Sequence, residues 1–150
     1  MGKTRDRIVF LIFCLYCAAM ACLLFVRSEP ANEYPYWEQV RSWTSLVPFH
    51  TIGKQFGWLA DPEKFWLFRH ALVNLGGNTV LFVPMGIFLP QLCRKLDCFR
   101  KVLLAGAGII ICIELTQVLT LVGRCDIDDL ILNLIGIAAG YGVYRWLWTE

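Results

Sequence analysis

Four stretches of about twenty residues, almost free of charge, dominate this sequence and leave it few ways to fold. They run from about Ile8 to Val26, His70 to Pro90, Val102 to Val122 and Ile127 to Trp148. Each is long enough, as a helix, to cross the ~30 Å hydrocarbon core of a bilayer. Inside lipid every backbone polar group must be satisfied within its own segment, so the stretches read as transmembrane helices. The composition agrees, since 57% of the 150 residues are hydrophobic and only 17% are charged. A soluble domain of this length carries about a quarter charged residues. The chain is therefore expected to be one all-α membrane domain spanning 1–150, a bundle of four transmembrane helices.

The first stretch follows Lys3, Arg5 and Arg7, as a signal peptide would, but its apolar run is longer than a signal h-region. No small-residue cleavage site precedes Arg27, so a retained anchor is expected. Basic residues cluster in that N-terminal tail and again at Arg94, Lys95, Arg100 and Lys101. The positive-inside rule then places both termini and this loop in the cytoplasm. The segment from Arg27 to Arg69 and the turn at Gly123 and Arg124 face outward. Trp146 and Trp148 mark the inner interface, and Trp58, Phe65, Trp66 and Phe68 the outer one.

The outer segment carries Pro30, Pro35, Pro48 and Pro62, which break any long helix, with Tyr34, Tyr36, Trp37, Trp43 and Phe49 between them. This aromatic and proline-containing loop is read as short interfacial helices and turns over the outer mouth of the bundle. The seven cysteines form no disulfide framework. Cys14, Cys17, Cys22 and Cys112 lie within apolar runs and are expected to pack as small hydrophobes. With a net charge of +2 and no concentrated basic patch, nucleic acid is not an expected partner.

Polar residues inside a span are costly and normally face protein or water. Glu114 is the most informative of them. Gln117 lies one turn on, and the rise per residue puts Glu114 roughly 12 Å below the outer end of its span. Asn78 on the second span reaches about the same depth, and Asn133 on the fourth reaches ~10 Å. Asp126, Asp129, Asn133, Gly136 and Gly140 recur at spacings of three and four, on one stripe of the fourth span. Asp128 points off that stripe, toward solvent. Three helices can thus bring polar groups to one level, open outward past Arg124, Asp126 and Asp129. Glu114 is expected to be hydrogen-bonded rather than freely ionised, held by Gln117 and by Asn78 or Asn133.

Each feature also has a structural reading. Asn74 and Asn78 can serve as interhelical hydrogen-bond glue, Gly136 and Gly140 as a close-packing face, and Asp126 and Asp129 as first-turn acids complementing a helix dipole. No His/Cys cluster, phosphate loop or catalytic triad is present, and no cofactor is expected. A divalent cation between Asp126 and Asp129 would have a thin ligand set.

Four motifs in order give the chain a family likeness. They are Ser45-Leu-Val-Pro-Phe-His-Thr-Ile52, Asn78-Thr-Val-Leu-Phe-Val-Pro-Met-Gly86, Ile113-Glu-Leu-Thr-Gln117, and Gly123-Arg-Cys-Asp-Ile-Asp-Asp-Leu-Ile-Leu-Asn133-Leu-Ile-Gly136. Across residues 45–140 the chain resembles the VanZ-like family of bacterial membrane proteins, departing from its usual basic residue after Pro-Phe at His50. The resemblance implies a multi-pass protein of the bacterial plasma membrane, linked in some members to reduced susceptibility to teicoplanin-type antibiotics. Joined to the polar level, it suggests a cavity that binds or modifies an amphiphilic molecule, either a lipid-linked cell-wall precursor or a lipoglycopeptide. Glu114 is then the candidate acid/base, with Asn78, Gln117, Arg124, Asp126, Asp129 and Asn133 as substrate-binding residues. Alternatives are a proton-coupled carrier or flippase working through Glu114, and a non-catalytic scaffold. Membrane lipid and further copies of the chain are the remaining expected partners.

Overall fold

The computed structural model describes residues 2–26, 34–60 and 63–148, with side chains from residue 4. Four helices among these residues are long and apolar enough to cross a membrane. They are α1 (Gly2–Phe25), α4 (Phe65–Leu92), α5 (Phe99–Leu119) and α6 (Ile127–Trp148). Between α1 and α4 lie α2 (Tyr36–Ser42), a two-residue strand β1 (Thr44–Ser45) and α3 (His50–Leu59). A second short strand, β2 (Cys125–Asp126), precedes α6. The all-α reading holds, and α2 and α3 are the short helices expected of the segment between the first two spans.

The spans differ from expectation at their ends. α4 begins at Phe65 rather than His70. Arg69 sits in its first turns with its guanidinium 5.9 Å from the Phe65 ring and 5.5 Å from the Trp66 ring, so aromatic faces accommodate the charge there. α5 runs from Phe99 to Leu119, three residues earlier at both ends than the expected 102–122. Leu121 adopts a left-handed conformation, φ 53°, and the Gln117 carbonyl accepts from the amides of both Val122 and Gly123. That C-terminal turn stops the helix inside a still-apolar sequence, where hydropathy gives no signal.

α4 and α6 form the most extensive contact in the molecule. Thr79 faces Gly136, Val83 faces Gly140, and Gly86 faces Ile137 and Tyr141, so the two helices run side by side in the same direction. The glycines expected to form a close-packing face do so. A side chain on Gly136 or Gly140 would meet the Thr79 or Val83 carbonyl oxygen, and one on Gly86 would meet the backbone of Ile137. Pro84 and Pro90 lie within α4 and remove two amides from its hydrogen-bond ladder. The Tyr16 hydroxyl of α1 donates to the Leu81 carbonyl (2.8 Å) near the first of these breaks.

The core runs between these helices as Met20, Phe82, Met85, Val102, Ile110, Ile137 and Tyr141. On α5 the buried residues are Val102, Gly106, Ile110, Glu114 and Val118, a strict four-residue repeat. Gln117 does not share that face. α1 is largely peripheral, and Phe13 and Tyr16 meet Phe88 of α4 at ring-centroid distances of 5.7 and 6.1 Å. The first turns of α1 adjoin the last turn of α4, and Phe99 at the start of α5 meets Tyr141 late in α6. One end of the bundle therefore carries both helical termini and the α4–α5 loop, and the other carries α2, α3 and the α5–α6 turn.

The α4–α6 contact leaves no room for side chains, so Gly140→Leu should destabilise the protein by about 1–3 kcal/mol, the usual cost of overpacking. Thermal unfolding in detergent measures this. Gly142→Ala on the same helix should be close to neutral, because a Cβ at Gly142 meets nothing within 4 Å.

Candidate functional site

The polar residues singled out in the sequence gather at the end of the bundle covered by α2 and α3. Their arrangement begins with the turn from α5 to α6. β1 pairs in parallel with β2, Thr44 opposite Cys125 and Ser45 opposite Asp126, and the Cys125 amide donates to the Trp43 carbonyl (3.0 Å). The segment containing α2 and α3 is thus tied by backbone to the turn that launches α6. Tyr36 adds a hydrogen bond from its hydroxyl to the Leu119 carbonyl, 2.7 Å.

Three carboxylates reinforce this tie from different directions. Asp126 accepts from the Thr51 hydroxyl (2.6 Å) with one oxygen and from the Asp128 amide (3.0 Å) with the other. Asp128 is fully buried and accepts from the amides of Phe49 and of Ile52, the latter at 2.9 Å. Phe49 holds the left-handed conformation (φ 62°) from which α3 starts, and Asp128 caps the first, otherwise unpaired amides of that helix. Glu114 reaches the turn from below, its Oε2 accepting from the Asp126 amide at 3.1 Å.

This corrects the placement of Asp128, expected in solvent. The spacing rule was right that it leaves the stripe of Asp129 and Asn133, but the opposite side of α6 is covered by the start of α3 rather than by water. Removing a carboxylate that pairs two part-buried amides at a helix start costs up to roughly 1–3 kcal/mol for each donor left alone.

Asp129 faces the other way, into the bundle, and accepts from the Asn78 side-chain amide of α4 at 2.7 Å. The same Asn78 nitrogen donates to Asn74, also at 2.7 Å. Asn133 lies one turn further along α6, only 4% exposed, and among the described residues its Oδ1 has no hydrogen-bond partner. The expected meeting of α4, α5 and α6 is therefore present in Asn78, Glu114, Asp129 and Asn133, with Asp126 above them. Glu114 stands five residues from the end of α5, roughly 8 Å by helical rise, which is shallower than expected.

One expected member is elsewhere. Gln117 does not hold Glu114; its side-chain amide donates to the Leu24 carbonyl at the end of α1, 2.8 Å away, and its side chain packs on Gly123. Arg124 is exposed at the turn. Asp126 and Asp129 are committed to different partners and do not form a chelating pair, and among the described residues no three His, Cys, Asp or Glu groups gather as metal ligands. The side chains missed in the sequence are Thr51, which reaches Asp126, and Gln39 and Gln55, buried on α2 and α3. Among the described residues Gln39 Nε2 and Gln55 Oε1 lack partners. A buried glutamine on a short polar helix carries no signal in composition. Thr51 lies in the motif from Ser45 to Ile52 and its partner Asp126 in the motif from Gly123 to Gly136, so the signal was the contact between those two motifs.

The turn holds a thiol that reports on this electrostatics. Burial, then the carboxylates of Glu114, Asp126 and Asp129, push the Cys125 pKa above that of an ordinary thiol. The neutral thiol is thereby favoured, so less thiolate is present at any given pH and alkylation is slower. With Cys125 as sole cysteine, its alkylation rate should rise with pH at a midpoint above the ordinary value of about 8.5. Glu114→Gln should move that midpoint down. An unchanged profile would place no charge of Glu114 beside Cys125.

A family model described as VanZ/LLP1 matches residues 13–148, nearly the whole chain. Among curated proteins and solved structures, none matches.

Proposed function

Since the chain belongs to the VanZ/LLP1 family, we propose that its polar layer beneath α2 and α3 binds the head group of an amphiphilic molecule at the outer face of a bacterial plasma membrane. The observation that carries this reading is the excess of acceptors within one helical turn of α6. Asn133 presents a buried carbonyl oxygen unpartnered among the described residues, and the carboxylates of Glu114 and Asp129 stand within electrostatic reach of each other. A buried polar group without a partner is costly in the bare protein and cheap once a ligand supplies the donor. Such a layer favours a head group rich in hydroxyls or carrying an ammonium. Lipid-linked cell-wall precursors and lipoglycopeptides both offer these groups beside an anchored tail, and lowered susceptibility to teicoplanin-type antibiotics would follow from capture of either.

In this reading Asn78, Glu114, Asp129 and Asn133 contact the head group, and Arg124 and Asp126 stand at the entrance. Glu114 is the group able to move a proton, should a bond be made or broken. Gln117 drops out of the binding set because it serves α1. A scaffold role is the second reading, and it has its own support. Asp126, Asp128 and Glu114 all brace the turn, so the carboxylates have a structural task without any ligand.

The two readings part at Glu114→Gln. The amide oxygen still accepts from the Asp126 amide, so the variant should fold with wild-type thermal stability. Binding or turnover should nevertheless be lost, read as disappearance of a defined co-purifying lipid or glycolipid in mass spectrometry. Full retention in the variant would favour the scaffold.

The outward position of this layer is part of the proposal. Four crossings return the chain to the side from which it starts, and the basic residues at Arg5, Arg7, Arg94 and Lys95 assign that side to the cytoplasm. In a variant without native cysteines, Glu38→Cys should label with an impermeant maleimide in intact cells and Lys95→Cys only after lysis. The reverse pattern would turn the polar layer inward and remove envelope precursors as its ligands.

A further inference from the structure

At the opposite end of the bundle, away from the polar layer, α1 and α4 leave a cleft of about 200 Å³. Its walls are Arg5, Asp6 and Val9 from the first turns of α1, and Gln91, Leu92 and Arg94 from the end of α4 and the residues after it. We propose that this cleft holds the phosphate of an anionic phospholipid.

The charge is suited to that ligand. Arg5 and Asp6 approach only to 4.0 Å, and both side chains are mostly exposed. Arg94 has no ion pair among the described residues. One carboxylate against two guanidiniums leaves the cleft positive, and a planar guanidinium can hold two phosphate oxygens at once. The position is equally suited, because the cleft lies where two spans end and hence where lipid phosphates lie. Below it α1 exposes Ile8, Leu11, Ile12 and Leu15 along one side, an apolar track on which an acyl chain can lie. Free inorganic phosphate would use the same guanidiniums but gain nothing from that track. Basic pockets between helices at a membrane surface recognise lipid head groups by this combination. The inference does not depend on what the polar layer at the other end binds.

The test uses the full chain in nanodiscs of phosphatidylglycerol and phosphatidylcholine, followed by native mass spectrometry. The wild type should retain one phosphatidylglycerol in preference to phosphatidylcholine. Arg5→Gln with Arg94→Gln should lower that retention about fivefold or more, the effect of a basic residue at an anionic surface. Arg7→Gln with Arg100→Gln, equal in charge but outside the cleft, should leave it unchanged. Should the first double variant lose helical content, Arg94→Gln alone, at an exposed position, carries the same expectation. Equal retention of both lipids by the wild type would overturn the proposal, as would equal loss in the two double variants. Displacement of the lipid by millimolar inorganic phosphate would assign the cleft to the free ion instead.

Discussion

The backbone contact between α4 and α6 is the constraint on which the rest of the molecule depends. Within lipid no hydrophobic effect drives helices together, and close packing is most of what holds them. Gly136 and Gly140 let the Thr79 and Val83 carbonyls of α4 approach α6 directly, and Gly86 returns the arrangement toward Ile137. Such an interface fixes both the rotation and the register of α6. Asp129 and Asn133 share its stripe, so they must face α4, and Asp129 meets Asn78. Asp128, next along the helix, is turned to the opposite side and meets the start of α3. The polar chemistry at the head of the bundle is thus positioned by glycines one to three turns away.

A second constraint acts at the end of α5. The left-handed Leu121 halts that helix while its sequence is still apolar, and the chain needs only a few residues to reach α6. A turn so short has little secondary structure of its own. It gains it from β1, from the Trp43 carbonyl and from Glu114. Glu114 is therefore placed by two requirements at once: it continues the buried four-residue repeat of α5, and it supplies an acceptor for an amide that would otherwise be unpaired.

The long-range architecture was legible because lipid simplifies the problem. Length and apolarity alone locate four spans, and glycine spacing on the last one locates its packing face. The ends of the spans were less legible, because Arg69 over aromatic rings and the turn at Leu121 depend on local geometry rather than hydropathy. Asp128 shows the limit most clearly. Helical spacing correctly removed it from the Asp129 stripe, but nothing in the spacing tells what covers the opposite side. That depended on a two-residue strand pairing across some eighty positions, below the length at which alternation can be recognised. Gln117 failed for a related reason. One turn from Glu114 is close in sequence, yet the face it occupies is set by α1, whose end lies far earlier in the chain.

Structure and chemistry cannot be separated at this site by deleting side chains. Asp126 and Asp128 hold the start of α3, Glu114 holds the turn, and Asp129 holds Asn78, so truncating any of them disturbs the packing around the others. What distinguishes the members is the part of each that the fold leaves unused. Asp128 accepts two hydrogen bonds from the segment above, and Asp126 accepts one from that segment and one from the Asp128 amide, so both are occupied. Asn133 is buried with an oxygen that nothing in the described residues satisfies. A native interior seldom retains such a group unless something else completes it. The level of Asn133, bounded by Asp129 above and the glycine contact below, is therefore where a bound head group would stabilise the bundle most.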